Sequence, residues 1–162
     1  MSSMAIPRPQ FEEVGRRVQQ AQRVLILNPE RGDGDSFGST FAFASAMRDQ
    51  GRDHVIFCKG ADAEHYSFLP GFARLETDAR KLDWASFDIA VTFDFADPKM
   101  TGIPDEWEQL RRANTPIVNI DHHPSNLLFG DLNIVDVESA AATEVAYELF
   151  TALGWPISHD VA

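Results

Sequence analysis

Four short apolar runs recur along this chain: "RVLILN" (Arg23 to Asn28), "HVIFC" (His54 to Cys58), "DIAVTF" (Asp88 to Phe93) and "PIVNI" (Pro116 to Ile120). Each is too short to be a helix and is bounded by polar or turn residues, which marks a strand buried on both faces. Helical stretches separate them. Phe37 to Gln50 is rich in Phe, Ala and Met and is followed by Gly51; Asp105 to Ala113 follows Pro104; Ser139 to Leu153 is Ala-rich and stopped by Gly154 and Pro156. Shorter helices are predicted over Phe11 to Gln22 and Ala61 to Leu69, a weak strand at Arg74 to Glu76, and a loose lead-in from Met1 to Pro9. Strands alternating with helices predict an α/β fold with a mostly parallel central sheet flanked by helices.

The bulk numbers support one globular unit. A chain of 162 residues, 44% hydrophobic, needs no disulfide to hold a core. The single cysteine, Cys58, excludes an internal disulfide framework and any CxxC zinc site, and fits a cytoplasmic location. No apolar stretch reaches membrane length, and the N-terminus has no signal-peptide core. A net charge of −11 argues against a general nucleic-acid-binding surface, so duplex nucleic acid is not an expected partner. It leaves room for a phosphate substrate if a bound cation inverts the local field.

In an open, Rossmann-like three-layer sheet, ligands bind beyond the carboxyl ends of the strands. The residues there are Asp33 and Asp35 after the first run, Asp94 after the third, and Asp121, His122 and His123 after the fourth, with Asp136 after "LNIV". Each alone has a plainer reading. Asp33-Gly34 is a common turn dipeptide, Asp35 or Ser36 suits a helix cap, and adjacent histidines suit an acid–base pair or a polar turn. Their gathering at one sheet edge is less easily explained, because clustered carboxylates repel unless a cation lies between them. Oxygen ligands with imidazole favour Mn²⁺ or Mg²⁺ over a thiolate zinc site. Two such metals sharing a bridging carboxylate would clamp an in-line phosphoryl displacement, and Asp94 at mid-sheet is the natural bridge.

These residues also carry a resemblance. "GDGDSFGS", "VTFDFAD", "NIDHHPSN" and "FGDLNIVDVESAAATEVAYEL" resemble, in order, four motifs of the DHH phosphoesterase superfamily, from Val24 to about Leu153. That superfamily includes RecJ-type exonucleases, family II pyrophosphatases, exopolyphosphatases and the nanoRNase/pAp phosphatases, the last being the most similar branch. The resemblance implies a metal-dependent phosphoesterase acting on a small nucleotide, pAp-like molecule or short oligonucleotide. It implies two Mn²⁺ ions, Asp33 on the first, Asp35, His122 and Asp136 on the second, and Asp94 between them. It further implies that His123 faces the scissile phosphate, that Asp121 orients a histidine, and that Gly38 and Ser39 let backbone donors approach phosphate.

Two departures qualify it. The superfamily's first motif opens with a histidine four residues before its first aspartate; here that position is Pro29, beside Asn28, and no histidine occurs from Leu25 to Asp53. The first metal site is therefore expected to be weak, empty, or completed by water or Glu30. The chain also ends at Ala162, where the superfamily continues into a smaller substrate-gripping domain. This reads as a lead-in and helix over residues 1–22 and a DHH catalytic-type domain over 23–162 that is incomplete at its C-terminal end. Three functions follow: the phosphoesterase, a catalytically degenerate module that binds a nucleotide or partner, and a pyrophosphatase or exopolyphosphatase, for which the basic cluster near the motifs is missing. An apolar patch or sheet edge left by the missing residues would favour a homodimer. His54, His65, Cys58 and Trp84, Trp107 and Trp155 read as surface or packing residues, and Phe37, Phe41 and Phe43 as the face that packs the first long helix on the sheet.

Overall fold

A computed structural model describes residues 6–162. Six strands, β1 (Val24–Leu27), β2 (His54–Phe57), β3 (Leu75–Glu76), β4 (Ile89–Phe93), β5 (Ile117–Asp121) and β6 (Leu132–Val135), form one sheet in the order β3-β2-β1-β4-β5-β6. Every pairing is parallel, in register from Val24 opposite His54 and Ile89 through to Asp121 opposite Val135. Strands buried on both faces explain the unbroken apolar runs: all of β1, β4 and β5 is buried.

Successive side chains leave opposite faces. Val24, Ile26, Val91, Phe93, Val118 and Ile120 join one core with α1 (Arg8–Gln20), α2 (Gly34–Asp49) and α5 (Ala142–Leu153). Leu25, Leu27, Ala90 and Ile117 join the other, under Trp84, Phe87, Phe95 and Leu110 of α4 (Pro104–Arg112). Each such side chain contributes about 1.5–3 kcal/mol when fully buried. The result is three layers, as the alternation predicts.

The chain leaves β1 towards β2 and leaves β4 in the opposite direction, towards β5. Right-handed crossovers then place the two connecting helices on opposite faces. A crevice opens between the carboxyl ends of β1 and β4, where strand order reverses.

The boundaries moved in several places, α5 among them, which begins at Ala142 rather than Ser139, and α1, which ends at Gln20 rather than Gln22. Of the expected lead-in, Met1–Ala5 lie outside the described residues, while Arg8 and Pro9 already belong to α1, because proline is tolerated in a first helical turn. The helix expected from Phe37 begins at Gly34: Asp33 accepts from the backbone N–H of Asp35 and Ser36, and Ser36 Oγ accepts from Asp33 N–H, a reciprocal cap. The helix expected over Ala61 to Leu69 shrinks to one turn, α3 (Ala63–Tyr66), ahead of Pro70-Gly71.

Candidate metal centre

β4 ends by delivering Asp94 into the crevice. Its backbone turns left-handed, φ 61°, a conformation that non-glycine residues adopt at a cost. The Asp94 N–H donates to Ile120 O on β5 at 3.0 Å, so the kink is held by the sheet itself. β5 then delivers Asp121, His122 and His123.

The two imidazoles are fixed by different partners. His122 Nδ1 lies 3.2 Å from the carbonyl of Ser139, which can only accept, so Nδ1 carries the proton. His123 Nδ1 lies 2.7 Å from Asp121 Oδ1, and Asp121 is fully buried. Each ring therefore keeps Nε2 for a ligand. His122 Nε2 lies 3.6 Å from both Asp94 Oδ1 and Asp35 Oδ2, and the His122 and His123 rings are 4.5 Å apart between centroids. His123 Nδ1 lies 3.7 Å from the same Asp94 oxygen.

Among the described residues, Asp94, His122 and His123 offer ligand atoms that all fall within 4.8 Å of one another. The set has one carboxylate and two imidazoles, with a second carboxylate, Asp35, in reach of His122. Such donors fit one divalent cation, the imidazoles suiting a first-row transition metal and the carboxylates a harder ion. Cys58 is excluded from it: the thiol is buried at the end of β2 and donates to Pro29 O at 3.2 Å.

The remaining expected ligands have local partners. Asp33 is exposed, and its cap bonds all fall on Oδ1. Asp136 accepts from Glu138 N–H through Oδ1 and from Ser139 Oγ through Oδ2. Asp35 Oδ2 and Oδ1 accept from Ala142 and Thr143 N–H at 2.7 and 2.9 Å, so this carboxylate also caps α5, whose own N-cap, Ala141, has no side-chain oxygen. Asn28 is buried. Its Oδ1 accepts from Thr40 Oγ1, while Nδ2 has no partner.

Gly38 and Ser39 sit past the first turn of α2, where backbone N–H groups are paired within the helix. What the structure shows for both is packing. Ser39 Oγ donates to Asp35 O at 2.8 Å, and a β-carbon at Gly38 would lie 3.0 Å from Thr143 Cγ2, so the glycine lets α2 and α5 close up.

Without a cation the site is electrostatically strained. Burial pushes the Asp94 carboxyl up to about 7, the charges of Asp35 and Asp33 push the same way, and His123 only partly offsets them. The Asp121 hydrogen bond raises the His123 imidazole, against the opposing effect of burial. A cation would bind the deprotonated forms of both groups and so act against these raised proton affinities.

The chain is thus a doubly wound α/β domain with a candidate metal-binding cluster of carboxylate and imidazole groups at its switch point. The profile of the DHH family, N-terminal domain, matches residues 23–162, and the chain belongs to that family. It is similar to the bifunctional oligoribonuclease and PAP phosphatase NrnA of Thermus thermophilus, 27% identical over 96% of this chain and 46% of that protein. The protein of the same description from Bacillus subtilis is 24% identical over 93% of this chain and 46% of its own length. The chain thus spans about half the length of these relatives. In structure it resembles an exopolyphosphatase-related protein from Bacteroides fragilis, with TM-score 0.83 at 17% identity, over 94% of this chain and 46% of that one. It also resembles RecJ of Thermus thermophilus in complex with Mn²⁺, with TM-score 0.55 at 15% identity, over 96% of this chain and 22% of that one. At these identities both structures speak to the fold.

Three groups that bond the candidate site residues are not legible in the sequence: the Ser139 carbonyl under His122, the α5 N–H groups under Asp35, and Asn126 behind Asp121. The first two are backbone groups, which carry no residue-type signal. Asn126 lies in "HHPSN", where an asparagine near a proline reads as a turn residue.

Proposed function

We propose that this chain carries the catalytic core of a divalent-metal-dependent phosphoesterase acting on short oligoribonucleotides or PAP-type nucleotides, with Mn²⁺ as the preferred ion and Mg²⁺ the alternative. The observation that carries the reading is the convergence of Asp94, His122 and His123 at the strand ends. A bound cation supplies Lewis acidity towards a phosphate oxygen and lowers the pKa of water. Asp94 and His122 would hold it, and Asp35, which caps α5, lies 3.6 Å from His122 Nε2. His123, steadied by Asp121, would turn Nε2 to the scissile phosphate, sharing the cation when the ring is neutral or, when both ring nitrogens carry protons, donating to charge that develops on phosphate oxygen. Asp33 retains Oδ2 for a ligand; Asp136 joins once it exchanges its bonds to Glu138 and Ser139.

Calorimetric titration of Mn²⁺ tests this, with Asp94→Asn as the control and a short oligoribonucleotide and a PAP-type nucleotide as trial substrates. Saturable binding lost in the control, with hydrolysis lost alongside it, supports the reading. Binding untouched by Asp94→Asn sinks it.

One observation favours a second reading, a binding module without turnover. Where the superfamily's first motif has histidine this chain has Pro29, and neighbouring Asn28 turns its carbonyl oxygen to Thr40 rather than to the crevice. At most one bound Mn²⁺ and no turnover, in a longer chain as in this one, would favour it.

A further inference from the structure

Behind Asp121 runs a line of amides, Asn119 buried and Asn126 half-buried, that neither a cation nor a substrate needs to touch. Asn126 Nδ2 donates to Asp121 Oδ2 at 2.5 Å and to the carbonyl of Phe95 at 3.4 Å. Its Oδ1 accepts from Asn119 Nδ2 at 3.0 Å and from the N–H of Leu128 at 2.7 Å. Asn119, fully buried on β5, in turn accepts from Thr92 Oγ1 of β4 at 3.1 Å.

The network has one consistent direction. The Leu128 N–H can only donate, so the Asn126 atom beside it is the oxygen. The other end of the carboxamide is then an NH₂ group, and it faces a carboxylate. With Oδ2 engaged by Asn126, Asp121 has Oδ1 left for His123 Nδ1, at 2.7 Å. A carboxylate accepts only, so Nδ1 must be the protonated nitrogen of a neutral His123. Phe95 follows Asp94 directly, so the same asparagine also ties the exit of β4 to the exit of β5. Leu128 takes a left-handed φ of 51° in making its bond, a strain that the Asn126 contact offsets.

We propose that Asn126 is a positioning residue: by holding Asp121 it keeps His123 as the Nδ1–H tautomer, with Nε2 bare and turned to the site. The inference rests on the phosphoesterase reading for its purpose but not for its test. Removing the partner directly behind such an imidazole changes affinity or rate by about 10- to 100-fold, and Asn126, one bond further back, acts on His123 through Asp121 within that bound.

The test is nitrogen NMR of histidine-labelled, metal-free protein at a pH above the imidazole's titration. The native chain is expected to show His123 with Nδ1 protonated and Nε2 bare. Asn126→Asp keeps an acceptor for Leu128 and Asn119 but sets a second carboxylate against Asp121, so it is read beside Asn126→Ala, which removes the donors without adding charge. The expected result is a mixture of both His123 tautomers, and the same in Asn126→Ala. Where a substrate is turned over, kcat falls about 10- to 100-fold with KM changed less. A native His123 that carries its proton on Nε2 overturns the proposal without any variant, and so does a folded variant that keeps the Nδ1–H form. Failure of the functional reading is seen separately, as a native chain that neither binds Mn²⁺ nor hydrolyses a phosphoester while its tautomer follows the expected pattern.

Discussion

At the scale of single residues, Asp94 combines three costs: burial, neighbouring negative charge and a left-handed backbone. Its folded carboxyl titrates at about 7, against an ordinary aspartate near 4. Between those values the folded chain binds more protons than the unfolded one, so stability falls as pH rises from about 4 to 7 and stays low above. Asp94→Asn removes the charge, and asparagine tolerates the left-handed region. The variant should be more stable than the native chain at pH 8 without metal, by on the order of 2–4 kcal/mol, with the gap closing towards pH 4. Urea denaturation of both proteins in chelator across that range reads it; a native chain equally stable at pH 5 and 8, after subtraction of the variant, would contradict it. A residue that destabilises the bare fold is what a cation site requires, and the local rules of sequence are broken where function lies.

At the scale of elements, the site is assembled by helix ends. Asp35 stands in the first turn of α2 yet caps α5, whose N-terminus lacks a side-chain cap of its own. Asp35→Ala should therefore cost about 1–2 kcal/mol as a lost cap, in addition to weakening Mn²⁺ binding. Thermal denaturation in chelator isolates the first effect, and an unchanged midpoint would show that α5 does not depend on Asp35. Further along α2, Gly38 sets the spacing to α5. Gly38→Val should cost about 1–3 kcal/mol through overpacking against Thr143, and Thr143→Ser should recover part of it. Additive costs in the double variant would mean that the two side chains do not meet. The pairing of α2 with α5 was hidden in the sequence because more than a hundred residues separate Asp35 from Thr143, while the helices themselves were legible from composition and stop signals. The helix starts at Gly34 rather than Phe37 for a local reason: the Asp33–Ser36 reciprocal cap outweighs the turn preference of the glycines in "GDGDS".

At the scale of the whole molecule, a cation that joins β1, β4 and β5 through their following loops should stabilise the entire domain, because it binds the folded state alone. Mn²⁺ at about 100 times its Kd should add roughly 2.7 kcal/mol, and Asp94→Asn should abolish the gain. A melting temperature indifferent to Mn²⁺ would mean that the cluster does not bind it. Short apolar runs alternating with helical stretches determine, from sequence alone, that this chain is α/β with a buried parallel sheet, because period and length are local properties of the chain. The sequence also determined which acidic and imidazole side chains stand at strand ends. Which of them meet was decided by tertiary structure. The strand order puts β1 beside β4 and β4 beside β5, so Asp35, Asp94, His122 and His123 converge, while Asp33 and Asp136 are held by bonds within their own turns. Strand order depends on crossover direction and on the packing of two separate cores, and neither is written in any one stretch of residues.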